Sequence, residues 1–367
     1  MHARGHILEK VMKGHSRSTN HRWLPTRLGG AALTATAATA ILGTTALLAA
    51  RRARQAERDN PPAGRFLDIE GVHLHFLERG QGPPLVLLHG NGAMVQDFEI
   101  SGILEPLARR YRVIAVDRPG FGHTNRPRSQ IWTPTAQADL VHKALIQLDI
   151  VQAIVVGHSW GTLVALSLAL NHPADVRSLV LLSGYYFPTL RADVLASSAT
   201  AAPVIGDLLS YTIAPLLGRG MRSRVFRKLF APAAVPSRFK AEFPTELALR
   251  PSQLKASASD TVLMTPSAAA LAERYGELKM PIIIMAGRED RIVDFTRQSG
   301  RLDEVLGKST LVSLEGAGHM IHHIVPEKVV EGINLAASRS AIAENSQLIP
   351  MQPITVDAAG SKPGAAA

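Results

Sequence analysis

The pentapeptide Gly157-His158-Ser159-Trp160-Gly161 constrains the fold of this chain more than any other stretch. It follows the apolar run 153–156, which is typical of a buried parallel strand, and it precedes a helix-like run over 162–171. Glycine two positions before and after a serine indicates a strand-to-helix turn too tight for extra Cβ atoms. Such a turn would expose the Ser159 hydroxyl as a nucleophile and place the Trp160 N–H where it could stabilise an oxyanion.

A serine nucleophile needs a base to take its proton and an acid to orient that base. The apolar run 281–286 predicts another buried strand, and it leads into Glu289 and Asp290. Catalytic groups collect just past the carboxyl ends of strands in open parallel sheets, so an acid is expected there. Asp290 is the preferred acid, although spacing alone leaves the adjacent Glu289 open.

The candidate base follows a further predicted strand, over 310–314. The glycine-containing turn Glu315-Gly316-Ala317-Gly318 would aim His319 back over the edge of the sheet. His322 and His323 compete with it, but both lie inside what is predicted as the next helix. The sequence therefore favours His319.

A second donor for the oxyanion is expected in the loop after an earlier strand. The strand-like run 85–88 is followed by His89-Gly90-Asn91-Gly92, whose glycines would let backbone approach a reacting carbonyl. We expect the Asn91 N–H to act together with that of Trp160. His89 is expected to anchor the loop through hydrogen bonds.

These segments together resemble the α/β-hydrolase superfamily. The resemblance covers about residues 66–340 and also includes a leading hairpin over 66–79 and the segment Asp117–Gly122 after a strand over 112–116. It implies an α/β fold with a mostly parallel eight-stranded sheet, helices on both faces and a helical cap. It also implies a triad in the chain order Ser159, Asp290, His319, with the Asp117 segment as a structural loop.

The His-Gly-Asn sequence after the third strand and the Trp-Gly sequence after the expected nucleophile are similar to those of the haloalkane dehalogenases and epoxide hydrolases of this superfamily, which carry aspartate where this chain has Ser159. An alkylated aspartate is an ester that water can cleave, whereas an alkylated serine would be an inert ether. Ser159 therefore indicates acyl transfer through a hydrolysable acyl-enzyme, as in a serine esterase. Esters, thioesters, lactones and activated amides are the candidate small-molecule substrates.

Two alternatives stay open at this point. A cofactor-free haloperoxidase or perhydrolase would use the same triad with peroxide as the acyl acceptor, and a ligand-binding protein could keep the fold without catalysis. The chain has no cysteine, no zinc-type spacing of ligands and no phosphate-binding glycine loop, so we expect neither cofactor nor metal. Nothing in the sequence fixes the oligomeric state.

The formal net charge of +10 suggests nucleic-acid binding until its distribution is considered. Residues 1–65 hold eleven Lys and Arg against three Asp and Glu, which leaves 29 against 27 for residues 66–367. The positive charge thus belongs to the N-terminal extension, and no nucleic-acid partner is expected for the rest.

The N-terminal extension contains an uncharged run of 23 residues, Leu28 to Ala50. At about 1.5 Å per residue a helix of this length would cross a hydrocarbon core of roughly 30 Å. We therefore expect a basic segment over 1–27, a single-pass membrane anchor over 28–50 and a polar linker over 51–65. A cleaved signal peptide, which would make the protein secreted or periplasmic, and a soluble extension are the alternatives. Basic residues on both sides leave the orientation open.

Prolines punctuate the segment after the strand over 178–182, which predicts several short helices forming a cap over about 185–275. Tyr185, Tyr186 and Phe187 begin this segment and either line the substrate pocket or pack the cap against the core. The cap also holds a basic cluster, which forms either a solvated helix face or a contact for anionic lipid headgroups: Arg219, Arg222, Arg224, Arg227 and Lys228. Residues 345–367 are predicted to be a disordered tail.

Overall fold

The structure, a computed structural model, describes residues 27–189 and 192–348. The chain divides into two compact units, residues 1–44 and 45–367. The first unit contributes the beginning of helix α1 (Arg27–Asp59), and all the elements that follow belong to the second. The predicted basic segment, apart from Arg27, and the predicted tail from residue 349 onward lie outside the described residues.

The described residues of the second unit form an eight-stranded sheet in the order β1-β2-β4-β3-β5-β6-β7-β8. The hairpin β1–β2 is antiparallel and joins β4 in antiparallel fashion, and all other neighbours are parallel. This confirms the predicted α/β-hydrolase arrangement with a mostly parallel sheet. The strands are β1 Arg65–Ile69, β2 Val72–Arg79, β3 Pro84–Leu88, β4 Arg112–Val116, β5 Ala153–His158, β6 Val176–Leu182, β7 Ile282–Gly287 and β8 Thr310–Leu314.

Both faces of the sheet are covered by apolar side chains. Successive side chains of a strand point to opposite faces, so an unbroken apolar run contributes to the core on each face. In β3, Val86 and Leu88 join the cluster that contains the helices α4 (Pro134–Gln147) and α5 (Gly161–Asn171), whereas Leu85 and Leu87 join the cluster on the other face. The same alternation runs through β4, β5, β6 and β7. The central strands therefore appear in the sequence as unbroken apolar runs.

The helices outside the segment between β6 and β7 pack around this sheet. Local signals set several of their ends: Thr133 caps α4 by accepting a hydrogen bond from the Ala136 N–H, and Gly307 ends α12 in a left-handed conformation. These helices are α2 Val95–Ser101, α3 Leu104–Ala108, α4 Pro134–Gln147, α5 Gly161–Asn171, α12 Arg301–Leu306, α13 Ile321–Ile324 and α14 Pro326–Leu348.

The segment between β6 and β7 is helical. Because proline restricts the preceding residue and cannot donate a backbone hydrogen bond, most of these helices are short. Pro266 is the exception, since it lies inside the longest of them, α11. The helices are α6 Ala192–Ala201, α7 Ile205–Tyr211, α8 Ile213–Phe230, α9 Ser237–Glu242, α10 Thr245–Ala248 and α11 Pro251–Ala272.

The predicted membrane span over 28–50 falls within α1. Among the residues that the structure describes, no helix is both long and apolar enough to cross a membrane, so that prediction is not confirmed. The span is rich in Ala, Thr and Gly, whose transfer into hydrocarbon is less favourable than that of Leu or Ile.

Two other predicted boundaries also differ from the structure. The linker predicted over 51–65 is helical as far as Asp59, because good helix-forming residues precede the first helix breaker, Pro61. At the other end, residues 345–348 of the predicted tail belong to α14.

Candidate active site

Ser159 lies in a strained turn between β5 and α5. Its φ of +52° is in the left-handed region that non-glycine residues rarely adopt, so the surrounding structure must hold it there. Both flanking glycines are required by close packing: a Cβ on Gly157 would lie 2.7 Å from the Gly161 oxygen, and one on Gly161 would overlap with the Leu88 oxygen. The turn therefore fixes the serine hydroxyl at the carboxyl edge of the sheet.

Three loops at this edge bring Ser159, His319 and Asp290 together. His319 Nε2 lies 2.9 Å from Ser159 Oγ, and His319 Nδ1 lies 2.7 Å from Asp290 Oδ2. The side chains of His319 and Asp290 are 3% and 2% exposed, so little solvent competes for these hydrogen bonds. The geometry allows Ser159 to pass its proton to His319 while Asp290 holds the other ring nitrogen.

The structure distinguishes the two candidate acids. Asp290 Oδ1 accepts hydrogen bonds from the backbone N–H groups of Ile292 and Val293, which leaves Oδ2 facing His319. Glu289 is exposed, and its Oε2 accepts a hydrogen bond from the Gly316 N–H. Asp290 is therefore the acid in contact with His319.

The loop after β3 approaches Ser159 from the neighbouring strand, since Leu88 pairs with Gly157. Asn91 lines the cavity above Ser159, and its side-chain amide donates to Ser257 O at 3.0 Å and Thr261 Oγ1 at 2.9 Å, both in α11. Trp160 is buried, and its indole N–H donates to Asp260 O in the same helix. Both residues predicted to form the oxyanion hole are thus tied to α11, and their catalytic role stays a prediction.

The buried Arg118 supports the loop that carries His89 and Gly90. Its Nε and Nη2 donate to the His89 and Gly90 oxygens at 2.9 and 3.1 Å, and its backbone N–H donates to His89 Nε2. His89 Nδ1 in turn donates to Gly90 O, so the ring is neutral. Burial and the Arg118 charge lower the pKa of His89 to about 3. His89 therefore anchors the loop, as the sequence predicts.

Asp260 of α11 neutralises the charge of Arg118. It receives hydrogen bonds from Arg118 Nη1 at 2.6 Å and from Arg126 Nη2 at 3.0 Å, and it is fully buried. The Arg118 guanidinium also lies 4.4 Å from the centre of the Trp160 ring. One ion-pair network thus connects α11, the loop after β3 and the turn at Ser159. The sequence did not reveal it, because Asp260 is more than a hundred residues from both arginines.

Asp260→Ala is expected to lower the free energy of unfolding by about 3–5 kcal/mol, because it would leave the buried Arg118 charge unpaired. Chemical denaturation monitored by circular dichroism would measure this change. Glu331→Ala, which removes an exposed pair with Lys328, is the matched control and should cost about 0–1 kcal/mol. Equal effects of the two substitutions would show that the buried network does not stabilise the fold.

A cavity of about 250 Å³ opens over Ser159 and His319. Its lining is mostly apolar and comes largely from the segment between β6 and β7. Among the described residues that line it, Arg222 is the only Arg or Lys. The main apolar lining residues are Val225, Phe226, Leu229, Phe239, Phe243 and Leu249.

Tyr185, Tyr186 and Phe187 do not line this cavity, so their interpretation as pocket residues is wrong. All three are buried in the core cluster together with Tyr275, which lies between α11 and β7. Gln298 also holds this stretch, accepting from the Tyr186 and Phe187 N–H groups at 2.6 and 2.8 Å. The alternative interpretation, packing of the cap segment against the core, is the one that the structure shows.

A polar cluster that the sequence did not reveal lies beside the triad. Asp97 Oδ2 and Oδ1 lie 2.9 and 2.8 Å from the Nε2 atoms of His322 and His323, and all three side chains are buried. Although burial raises the pKa of Asp97, the two imidazoles outweigh it and hold that pKa well below its usual value. The spacing could also admit a metal ion, as could that of the group His142, His172 and Asp175. The hydrogen bonds already satisfy the Asp97 carboxylate.

Comparison with known proteins identifies the family. Residues 83–324 match the family model described as alpha/beta hydrolase fold. A 2-hydroxymuconate semialdehyde hydrolase from Pseudomonas sp. (strain CF600) is 37% identical over 136 residues, a match that spans 36% of this chain and only 48% of that protein. Haloalkane dehalogenase 2 of Mycobacterium tuberculosis is 25% identical over 288 residues, which cover 74% of this chain and 94% of the relative.

Solved structures agree on the fold. A meta-cleavage product hydrolase from Pseudomonas fluorescens IP01 superposes with a TM-score of 0.58 and 24% identity, covering 76% of this chain and all of the other. At that level of identity the structural similarity is evidence for the fold alone.

Proposed function

This chain belongs to the α/β hydrolase fold family and is a hydrolase, and we propose that it cleaves a carboxylic ester or related acyl substrate through Ser159, His319 and Asp290. The observation that carries the proposal is the hydrogen-bonded series from Ser159 Oγ through the His319 ring to Asp290 Oδ2. Nucleophile, base and acid are in direct contact, which is the arrangement that acyl transfer requires.

In the proposed reaction Ser159 Oγ attacks the acyl carbon while His319 Nε2 takes its proton. The tetrahedral oxyanion is held by the backbone N–H groups of Asn91 and Trp160. His319 then protonates the leaving alcohol or amine as the acyl-enzyme forms. A water molecule deprotonated by His319 repeats the attack, releases the carboxylic acid and restores Ser159.

The cavity over Ser159 favours an apolar acyl group. Its aromatic and aliphatic walls, such as Phe226, Phe239 and Leu229, would bind a hydrocarbon chain or ring by excluding water. The semialdehyde named for the Pseudomonas relative is a further candidate, supported by the 37% identity over part of the chain. Graded p-nitrophenyl esters together with 2-hydroxymuconate semialdehyde form a panel that separates the two.

Labelling by a fluorophosphonate tests the proposal directly. The reagent reacts with serine hydroxyls activated by a base, so folded protein should bind about one equivalent, located at Ser159 by peptide mass spectrometry. Ser159→Ala protein should remain unlabelled. If the folded wild-type protein is not labelled, Ser159 is not activated by a base. That result would favour the alternative of a ligand-binding protein without catalysis.

A further inference from the structure

Helix α8 carries an exposed apolar row next to the side that lines the cavity. Gly218, Phe226 and Leu229 line the cavity over Ser159. Residues four apart share a helix face, and in the row that leads to the cavity-lining Val225 the side chains of Ile213, Leu217 and Met221 are 48%, 58% and 50% exposed. Single exposed apolar side chains are ordinary, but a continuous row marks an interaction surface.

Helix α7 extends this surface. Only Thr212 separates its end from the beginning of α8, and its side chains Ile205, Leu208 and Tyr211 are also exposed. We call the combined surface the α7–α8 face, defined by Val204, Ile205, Leu208, Tyr211, Ile213, Leu216, Leu217 and Met221.

Positive charge continues the same side of α8. Arg224 and Lys228 lie three and seven residues beyond Met221, so they prolong the exposed row, and Arg227 is exposed beside them. Helix α8 contains no Asp or Glu at all. An apolar row that continues into basic residues is complementary to a lipid surface with anionic headgroups.

The end of α1 adds similar residues nearby. Glu246 forms an ion pair with Arg219 of α8, and the hydrogen bond from Arg219, together with the charges of Arg52 and Arg222, lowers its pKa. Arg52 therefore lies within electrostatic reach of Glu246 in α10, the partner of Arg219 in α8. One turn before it, Leu47 and Leu48 are 51% and 46% exposed. Apolar and basic side chains thus recur on two separate elements of the same unit.

We propose that the α7–α8 face docks on an anionic lipid surface. Burial of the apolar row in the interface supplies affinity, and the basic end of α8 contacts the headgroups. Because α8 is also a wall of the cavity over Ser159, docking would bring that cavity within about one helix diameter, roughly 10 Å, of the lipid. The proposal does not depend on the serine chemistry.

The absence of cysteine allows a direct test on the full chain. Leu217→Cys, labelled with the fluorophore NBD, is mixed with vesicles of equal parts phosphatidylglycerol and phosphatidylcholine. The emission should shift to the blue, increase, and be quenched by lipids carrying spin labels in their acyl chains. The control is Val151→Cys, an exposed position before β5, whose label should remain in water. This local readout is needed because the basic N-terminal residues could bind vesicles by themselves.

The contribution of charge is tested by the double substitution Arg224→Gln with Arg227→Gln. It should raise the vesicle concentration needed for half of the Leu217 fluorescence change by on the order of tenfold. The matched control is Arg109→Gln with Arg110→Gln, two exposed arginines at the end of α3. All of these variants should keep wild-type turnover of a soluble ester, so the result is separate from the serine mechanism. A Leu217 label that stays in water on vesicle-bound protein would overturn the proposal. So would a blue shift without vesicles that grows with protein concentration, which would indicate a second copy of the chain.

Discussion

Ser159→Ala is expected to lower kcat/KM for ester hydrolysis by about 10⁴- to 10⁶-fold, because no other group in the proposed mechanism can form the acyl-enzyme. The Ser159→Ala protein should retain the wild-type fold. The hydroxyl contacts His319, whereas the turn is held by backbone hydrogen bonds, from the Ser159 N–H to Leu182 O and from the Thr162 N–H to Ser159 O. Initial rates on p-nitrophenyl esters, with a thermal unfolding curve for each protein, would measure both effects.

Ser183→Ala is the matched control for this substitution. Ser183 is also a buried serine with positive φ, +46°, directly after the end of β6. Within the described part of the chain its Oγ has no hydrogen-bond partner, so removing it should leave turnover nearly unchanged. If Ser159→Ala retained activity within about tenfold of wild type, the nucleophile would have to be another group.

Most of the sheet could be predicted from the sequence because central parallel strands are buried on both faces. The predicted run 310–314 coincides with β8, and the run 281–286 differs from β7 by one residue at each end. Such strands contain few polar residues, so their limits coincide with changes in hydropathy. The positions of Ser159, Asp290 and His319 follow from the same pattern, because each lies just past the end of a predicted strand.

The cavity could not be predicted, because its walls depend on how short helices pack rather than on local patterning. Tyr185–Phe187 stand next to the end of β6 in sequence, yet they turn into the core beside Tyr275. Phe226 and Phe239, much farther along the chain, occupy the cavity wall instead. Aromatic composition alone does not distinguish a pocket residue from a core residue, since burial favours both.

The Arg118–Asp260 pair shows the same limit for polar residues. Arg118 is the second residue after a predicted buried strand, and a charged side chain so close to the end of such a strand indicates a buried polar contact. Its partner lies in α11, and nothing in the local sequence identifies which carboxylate of the cap segment reaches the sheet edge. Buried ion pairs are defined by tertiary contacts, so they become visible only with the structure.

Asp290→Asn is expected to lower kcat by about 10⁴-fold while leaving the fold intact. Asp290 Oδ2 accepts the His319 Nδ1–H and so keeps Nε2 unprotonated toward Ser159. An asparagine amide can donate to Nδ1, which would favour the tautomer with the proton on Nε2, and that tautomer cannot accept the serine proton. The backbone hydrogen bonds from Ile292 and Val293 can still be accepted by the amide oxygen, so the loop should keep its shape.

Glu289→Gln provides the control that separates the two adjacent acids. Glu289 is exposed and accepts a hydrogen bond from the Gly316 N–H, a bond that a glutamine oxygen can also accept. Its charge is screened by water, so kcat should stay within about threefold of wild type. Single-turnover and steady-state rates on the same ester would compare the two variants. A large loss in Glu289→Gln with near-normal rates in Asp290→Asn would transfer the role of orienting His319 to Glu289 and would contradict the geometry around Asp290 Oδ2.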